Sequence, residues 1–204
     1  MAAGATISLR CSCGAVRGGL HAPGIRLICL CDDCQTYAHA LRRAEDILDD
    51  NGGTEVYFTT PSQLTIDEGA EQLRHLRLSP KGALRCHTAC CKTPVANLSA
   101  KPNAPVLSIP TQLFLDAESD ASRERLLGPV YTRIMARHGH GELPPNSHSK
   151  YPAGLLLRAA SMMARSRIRG LHTPTPFFGG NKQPIAPIEV LSKASRDRFR
   201  PNRP

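Results

Sequence analysis

The sequence predicts a mainly β, antiparallel domain followed by a basic, partly helical C-terminal extension. Three observations carry that reading. Short segments of alternating apolar residues recur with turn signals at roughly 8–12-residue spacing. Seventeen prolines and sixteen glycines among 204 residues interrupt any long helical pattern. Eight cysteines fall in tight clusters, which suits local metal knuckles better than disulfides joining distant segments.

Taken in order, Thr6–Cys11 alternates as a strand and runs into Cys11-Ser-Cys13-Gly14, where the glycine permits the tight, positive-φ turn a metal knuckle needs. Ala15–Leu20 and Ile25–Cys31 read as strands joined by the turn-rich His21-Ala-Pro-Gly24. Asp32 and Asp33 open a helix through Arg43, because carboxylates suit a first turn and arginines a last one. After Asn51-Gly52-Gly53 come four strands, Thr54–Thr60, Gln63–Asp67, Gln72–Ser79 and Ala83–His87, then two more, Val95–Ser99 and Pro105–Pro110.

The texture changes near Asp116. Ser119 caps a helix through Leu127, Gly128–Arg137 fits strand or helix equally, and Gly139 to Pro152 reads as a mobile loop. Leu155 to Arg169 is the clearest helix, with Leu156, Ala160 and Met163 on one side and Arg158, Arg165 and Arg169 on the other. Its apolar side is expected to pack on the β domain. A proline-rich stretch to Pro187 and a short polar tail complete the chain. The organisation expected is therefore a β domain over 1–115 and an extension over 116–204.

Charge follows the same division. Residues 1–115 carry eleven basic and ten acidic side chains, whereas 116–204 carry fifteen basic and seven acidic. A net +8 in the extension invites a polyanion partner, although a solvated arginine face accounts for most such stretches. No apolar run reaches the ~18 residues of a membrane span and no signal-peptide core is present, so a cytoplasmic protein without a membrane partner is expected. Phosphate loops, serine-hydrolase elbows and HExxH are absent from the sequence.

The chemistry lies in the thiols. Cys29-Leu-Cys31-Asp-Asp-Cys34 puts three within six positions, where a strand enters a turn. Thiolates are soft donors suited to Zn²⁺, and three are one short of a closed structural site. Either a fourth ligand arrives from elsewhere, or a position stays open for water or substrate. Cys86-His-Thr-Ala-Cys90-Cys91-Lys-Thr-Pro94 is a second knuckle. Neighbours on a regular strand face opposite ways, so Cys90 and Cys91 share a metal only in a turn. Buried free cysteines acting as small hydrophobes would not cluster this way. His39 offers a fourth ligand to the central thiols but reads better as a surface helix histidine. Arg42-Arg43 and Arg137-His-Gly-His140 read best as solvated charges.

Cys11-Ser-Cys13-Gly-Ala-Val-Arg, Cys29-Leu-Cys31-Asp-Asp-Cys34-Gln and Cys90-Cys91-Lys-Thr-Pro, in that order, resemble the glutathione-dependent formaldehyde-activating enzyme and centromere protein V family over roughly residues 6–112. The resemblance implies an Mss4-like antiparallel β zinc-binding fold. It implies a structural zinc held by Cys11 and Cys13 with the last cluster, and a second, catalytic-type zinc at Cys29, Cys31 and Cys34. In the last cluster Lys92 stands where the family has glycine. Cys91 matches the family's thiol, and its companion is Cys90, Cys86 or His87, with Cys90 preferred. The activity implied is that of a carbon–sulfur lyase on a small-molecule adduct of glutathione or another thiol with a formaldehyde-like electrophile, with Asp32 or Asp33 moving protons. The alternative is a non-catalytic zinc-stapled module whose basic C-terminal helix docks on nucleic acid or protein; nucleic acid ranks below the thiol adduct as partner, and the oligomeric state is left open.

Overall fold

The computed structural model describes residues 6–112, 114–117 and 119–201. It is mainly β, with two sheets and five helices among the described residues. Strands β1 (Ile7–Arg10), β2 (Arg17–Leu20) and β5 (Leu64–Glu68) form a small antiparallel sheet. The large sheet has an antiparallel centre built from β3 (Ile25–Cys29), β4 (Thr54–Thr59), β9 (Leu107–Pro110), β8 (Pro94–Leu98), β7 (Leu84–Thr88) and β6 (Leu73–Arg77), adjacent in that order. Leu9, Val16, Leu20, Leu73, Leu84, Val95, Ile109 and Phe114 are buried together in the principal core. In a chain without Trp, this core is built largely from Leu, Ile and Val, with Phe114 among them.

The expected strands are all present, trimmed or shifted by a residue or two. The first helix is shorter than expected: α1 (Asp32–Ala40) stops early and Arg42 turns left-handed at φ 57°, so that α2 (Ala44–Ile47) follows as a separate turn. Cys31 is the extended N-cap residue of α1, and Asp32 and Asp33 occupy its first turn.

The later residues enlarge the same sheet. Ser119 Oγ accepts the Ser122 N–H, as a cap should, and starts α3 (Asp120–Leu127). The ambiguous stretch after it becomes β10 (Arg133–Ile134), which pairs parallel to β3, followed by a single 3₁₀ turn over Ala136–His138. The expected mobile loop contains β11 (Ser147–His148), parallel to β10. At the opposite edge β12 (Ile188–Val190) lies parallel to β6, and the expected polar tail is α5 (Lys193–Phe199), capped by Ser192. Neither β12 nor α5 has a strong apolar period, which is why sequence pattern alone misses them.

The long helix, α4 (Ala153–Ile168), requires a correction. Its contact stripe is Leu155, Ala159, Met162 and Ser166, with Leu155 and Ser166 buried and the other two half-buried. Leu156, Ala160 and Met163, expected to pack on the β domain, are exposed. The small side chains of Ala159 and Ser166 let one narrow ridge approach the body. The Ser166 carbonyl also accepts the Leu171 N–H at 2.8 Å, which ties down the helix end.

A buried ionic network joins α3 to the sheet. Glu55 on β4 and Arg26 on β3 are 5% and 4% exposed and pair at 2.7 Å. Arg26 also donates to the Gly128 carbonyl at 3.1 Å, Arg123 lies 3.5 Å from the carboxylate, and the Thr111 hydroxyl donates to it. Towards the other edge of the sheet, on β6, neither ring nitrogen of buried His75 has a hydrogen-bond partner, and burial pushes its pKa down to about 4, so the ring is neutral.

Candidate metal centres

The first centre forms where two distant turns meet. β1 delivers buried Cys11, whose carbonyl accepts the Gly14 N–H at 2.8 Å across a turn that Gly14 makes possible at φ +79°. The Val16 N–H donates to Cys11 Sγ at 3.2 Å. The partner turn joins β7 to β8 and holds Cys90 and Cys91, so the adjacent thiols escape the opposite-face rule of a strand. Lys92 takes the left-handed conformation there at φ 58°, ordinarily a place for glycine.

The Sγ atoms of Cys11, Cys13, Cys90 and Cys91 lie within 4.8 Å of one another. Individual separations are 3.6 Å for Cys11–Cys13, 4.0 Å for Cys11–Cys90 and 3.7 Å for Cys90–Cys91. Zn–S bonds of about 2.3 Å in a tetrahedron require sulfurs about 3.8 Å apart, so this donor set fits zinc. Cys86 and His87 are outside the group: both are buried on β7, and Cys86 faces His75 across the sheet.

Outer contacts fix this cluster. The hydroxyls of Thr88 and Thr93 lie 3.3 and 3.2 Å from Cys91 Sγ, and each accepts a backbone N–H, from Thr93 and Ser12 respectively. The Thr88 proton is thus left for the sulfur, while the Thr93 hydroxyl lies 3.0 Å from the Ser12 hydroxyl as well as against Cys91. Burial raises the Cys91 pKa, but these hydroxyls and Cys13 outweigh it and bring it down to about 5. Arg43, read from sequence as a solvated charge, donates to the Cys91 carbonyl at 2.7 Å, lies 3.4 Å from the Ser12 hydroxyl, and pairs with Asp46. It therefore bridges both turns.

The second centre lies where β3 meets α1. Cys29 ends the strand, Cys31 caps the helix and Cys34 sits in its first turn, and the three sulfurs lie within 4.8 Å of one another. The Cys31 carbonyl accepts the N–H groups of Cys34 and Gln35. Among the described residues, no fourth His, Cys, Asp or Glu ligand atom joins them. His39 is exposed and outside the group. Cys29 and Cys34 are buried and Cys31 is half-buried, so access is from the Cys31 side.

Several residues around this centre carry no sequence motif. Arg85 on β7 lies 3.9 Å from Cys34 Sγ, donates to Asn97 Oδ1 at 3.1 Å, comes within 3.8 Å of Asp33 and stacks 5.2 Å from the Tyr37 ring centroid. The Cys34 pKa is held well below the ordinary thiol range by the thiols of Cys29 and Cys31, and further by Arg85. An arginine between Leu84 and Cys86 on a buried strand is the one signal that could have revealed it. His138, assigned to solvent from sequence, instead lies 3.4 Å from Asp32, while Gln35 donates to its carbonyl at 3.0 Å. Ile134 and Leu155 wall the thiols, and Tyr151, at the start of α4, has its pKa raised to about 12 by burial and by these three cysteines.

Arg85→Met is expected to weaken metal binding at the three-thiol centre by about 10–100-fold, the usual cost of losing an outer partner. The four-thiol centre should keep its affinity. Titration with a chromophoric chelator reads both centres in one experiment, and an unchanged weaker site would remove Arg85 from the account.

A mainly β fold in which separate turns bring cysteines into two compact groups defines a protein with two candidate metal centres, each able to hold an ion such as zinc. The chain belongs to DUF6151, a family of unknown function whose model matches residues 3–189. No curated protein matches it. Among the described residues no helix is long and apolar enough to cross a membrane.

Proposed function

We propose that this is a zinc protein of the carbon–sulfur lyase type, related to the formaldehyde-activating and centromere protein V family and sharing its Mss4-like fold. The order of the knuckles along the chain supports that kinship. The observation that carries the functional reading is the unequal ligand count: four thiols at the centre between distant turns, three at the centre between β3 and α1. The first is complete as a staple, and the second has room for a substrate atom.

In this reading the substrate is the adduct of a small thiol, glutathione or another, with an aldehyde such as formaldehyde. The thiol sulfur adds to the carbonyl carbon, the C=O electron pair moves to oxygen, and the thiol proton finishes on that oxygen; the reverse breaks the same C–S bond. Zinc held by Cys29, Cys31 and Cys34 would supply polarisation of the carbonyl or stabilisation of the thiolate. Asp32, which lies 3.4 Å from His138 and follows Cys31 in the chain, or its neighbour Asp33, would accept and return the proton. Arg85 offsets negative charge gathered at Cys34. Ile134 and Leu155 keep water from one side of the thiols. In this reading the substrate's reacting end approaches past half-buried Cys31 and exposed Asp33, and a small cavity lined by Cys34, Tyr37, Arg85 and Asn97 also touches the centre.

Metal analysis with an activity assay tests the reading. Purified protein should hold close to two zinc ions per chain, and the Cys29/Cys31/Cys34 triple serine variant about one. NMR should show formation or cleavage of the thiol–formaldehyde adduct running faster than the uncatalysed reaction, an acceleration that Cys31→Ser abolishes while the circular dichroism spectrum is retained. Protein carrying both zinc ions that does not accelerate adduct formation or cleavage with any small thiol would defeat the lyase assignment.

A further inference from the structure

The exposed side of α4 has a composition that water alone does not explain. Leu157 and Ile168 are 73% and 85% exposed, and with Leu156, Ala160, Met163 and Ala164 they form one face along the 16-residue helix, interrupted near its C-terminal end by exposed Arg167, whose long side chain can reach back to a headgroup layer. Beside it runs a second row, Arg158, Arg165 and Arg169. This row lines a groove of about 640 Å³ together with Leu157, Met162 and Ile25. From Leu143 to Ile188 the sequence has six basic residues and no acidic one. Among the described residues, Arg158, Arg165, Arg167 and Arg169 form no ion pair; Arg158 instead stacks 4.6 Å from the Tyr131 ring centroid.

An occupant of this face has to offer negative charge and hydrocarbon together. Nucleic acid supplies phosphates but nothing for Leu157 and Ile168. A second copy in a two-fold pair would set arginine row against arginine row. An anionic bilayer supplies both: acyl chains under the apolar stripe and headgroup phosphates at the guanidinium row. The half-exposed Tyr151 at the helix start suits the headgroup layer. We infer that α4 is a peripheral membrane-docking helix, lying in the plane of an anionic phospholipid surface and taking headgroups into the arginine-lined groove. The contact stripe of Leu155, Ala159, Met162 and Ser166 meanwhile keeps the helix on the body, so docking needs no unfolding.

The protein has no tryptophan, so Leu157→Trp at this exposed position provides a single reporter. With vesicles of phosphatidylglycerol and phosphatidylcholine its emission should move to shorter wavelength and the protein should sediment with the lipid, reversibly with added salt. With phosphatidylcholine alone neither should occur. In the otherwise wild-type chain, Arg158→Gln/Arg165→Gln/Arg169→Gln should lose about 100-fold in affinity at low salt. Leu157→Asn/Ile168→Asn, which removes no buried contact, should abolish binding to the anionic vesicles. The inference is overturned if the wild-type protein stays in the supernatant, or if the asparagine variant binds as well as wild type. It is equally overturned if light scattering shows a dimer that the asparagine variant dissociates, or if only duplex DNA binds and the arginine variant alone loses it. Zinc content and lyase activity are separate readouts, so this result stands independently of the proposed function.

Discussion

Cys11→Ala, or exhaustive chelation of the wild-type protein, is expected to unfold the chain or leave it aggregating. Structural zinc contributes apparent free energies of about 10–16 kcal/mol in small metal-dependent folds, against a whole-protein stability of about 5–15 kcal/mol. The four sulfurs join the end of β1 to the β7–β8 turn, segments far apart in sequence. Without the cation, four thiols would face one another where two of them are exposed, at Cys13 and Cys90. The contrast within the molecule makes the test selective. The Cys29/Cys31/Cys34 triple serine variant should keep a cooperative melting transition, because β3 and α1 are also held by sheet pairing and by Gln35, which donates to the Leu30 carbonyl at 2.8 Å. A Cys11→Ala protein that melts at the wild-type temperature would show that the staple is not what holds the turns together.

Glu55→Ala should cost about 3–5 kcal/mol, the penalty for leaving a buried cation without its partner. Arg26, Arg123 and the Thr111 hydroxyl all converge on this one carboxylate, and Arg26 has almost no access to water. In a domain of this size that is a fall in melting temperature of roughly 6–20 °C. Because α3 reaches the sheet through Arg123, hydrogen exchange should rise first over Asp120–Leu127. Replacing the pair together, as Arg26→Met/Glu55→Leu, should recover much of the loss, since a packed apolar pair often equals a buried ionic one. A single Glu55→Ala variant within about 1 kcal/mol of wild type would mean that the carboxylate does not hold α3 in place.

The parts of the molecule legible from sequence are those governed by local rules. The strand run through Pro110 was set by alternation and turn residues, and Ser119 marked the start of α3 because an N-cap is a one-residue signal. The thiols were visible through spacing, and their meeting in space follows from the turns that carry them. Arg43, Arg85 and His138 were hidden because their partners lie far along the chain or on another strand, and nothing in their neighbours announces a cysteine at the other end. The helix α4 was placed correctly but turned the wrong way. A helix with an apolar stripe ordinarily buries it, and here the body contacts a narrower ridge of Leu155, Ala159, Met162 and Ser166.

Both flanks of the antiparallel centre of the large sheet are occupied by strands that come late in the chain: β10 beside β3, and β12 beside β6. On the ribosome the first 115 residues therefore emerge with two open edges whose amide and carbonyl groups are free to recruit another nascent chain. The residues that close them, through Val190, follow only after roughly 4–15 s of further synthesis. Cells making this protein must hold the unfinished sheet apart from its neighbours for that interval, and over-expression should strain that supervision well before it strains the finished fold.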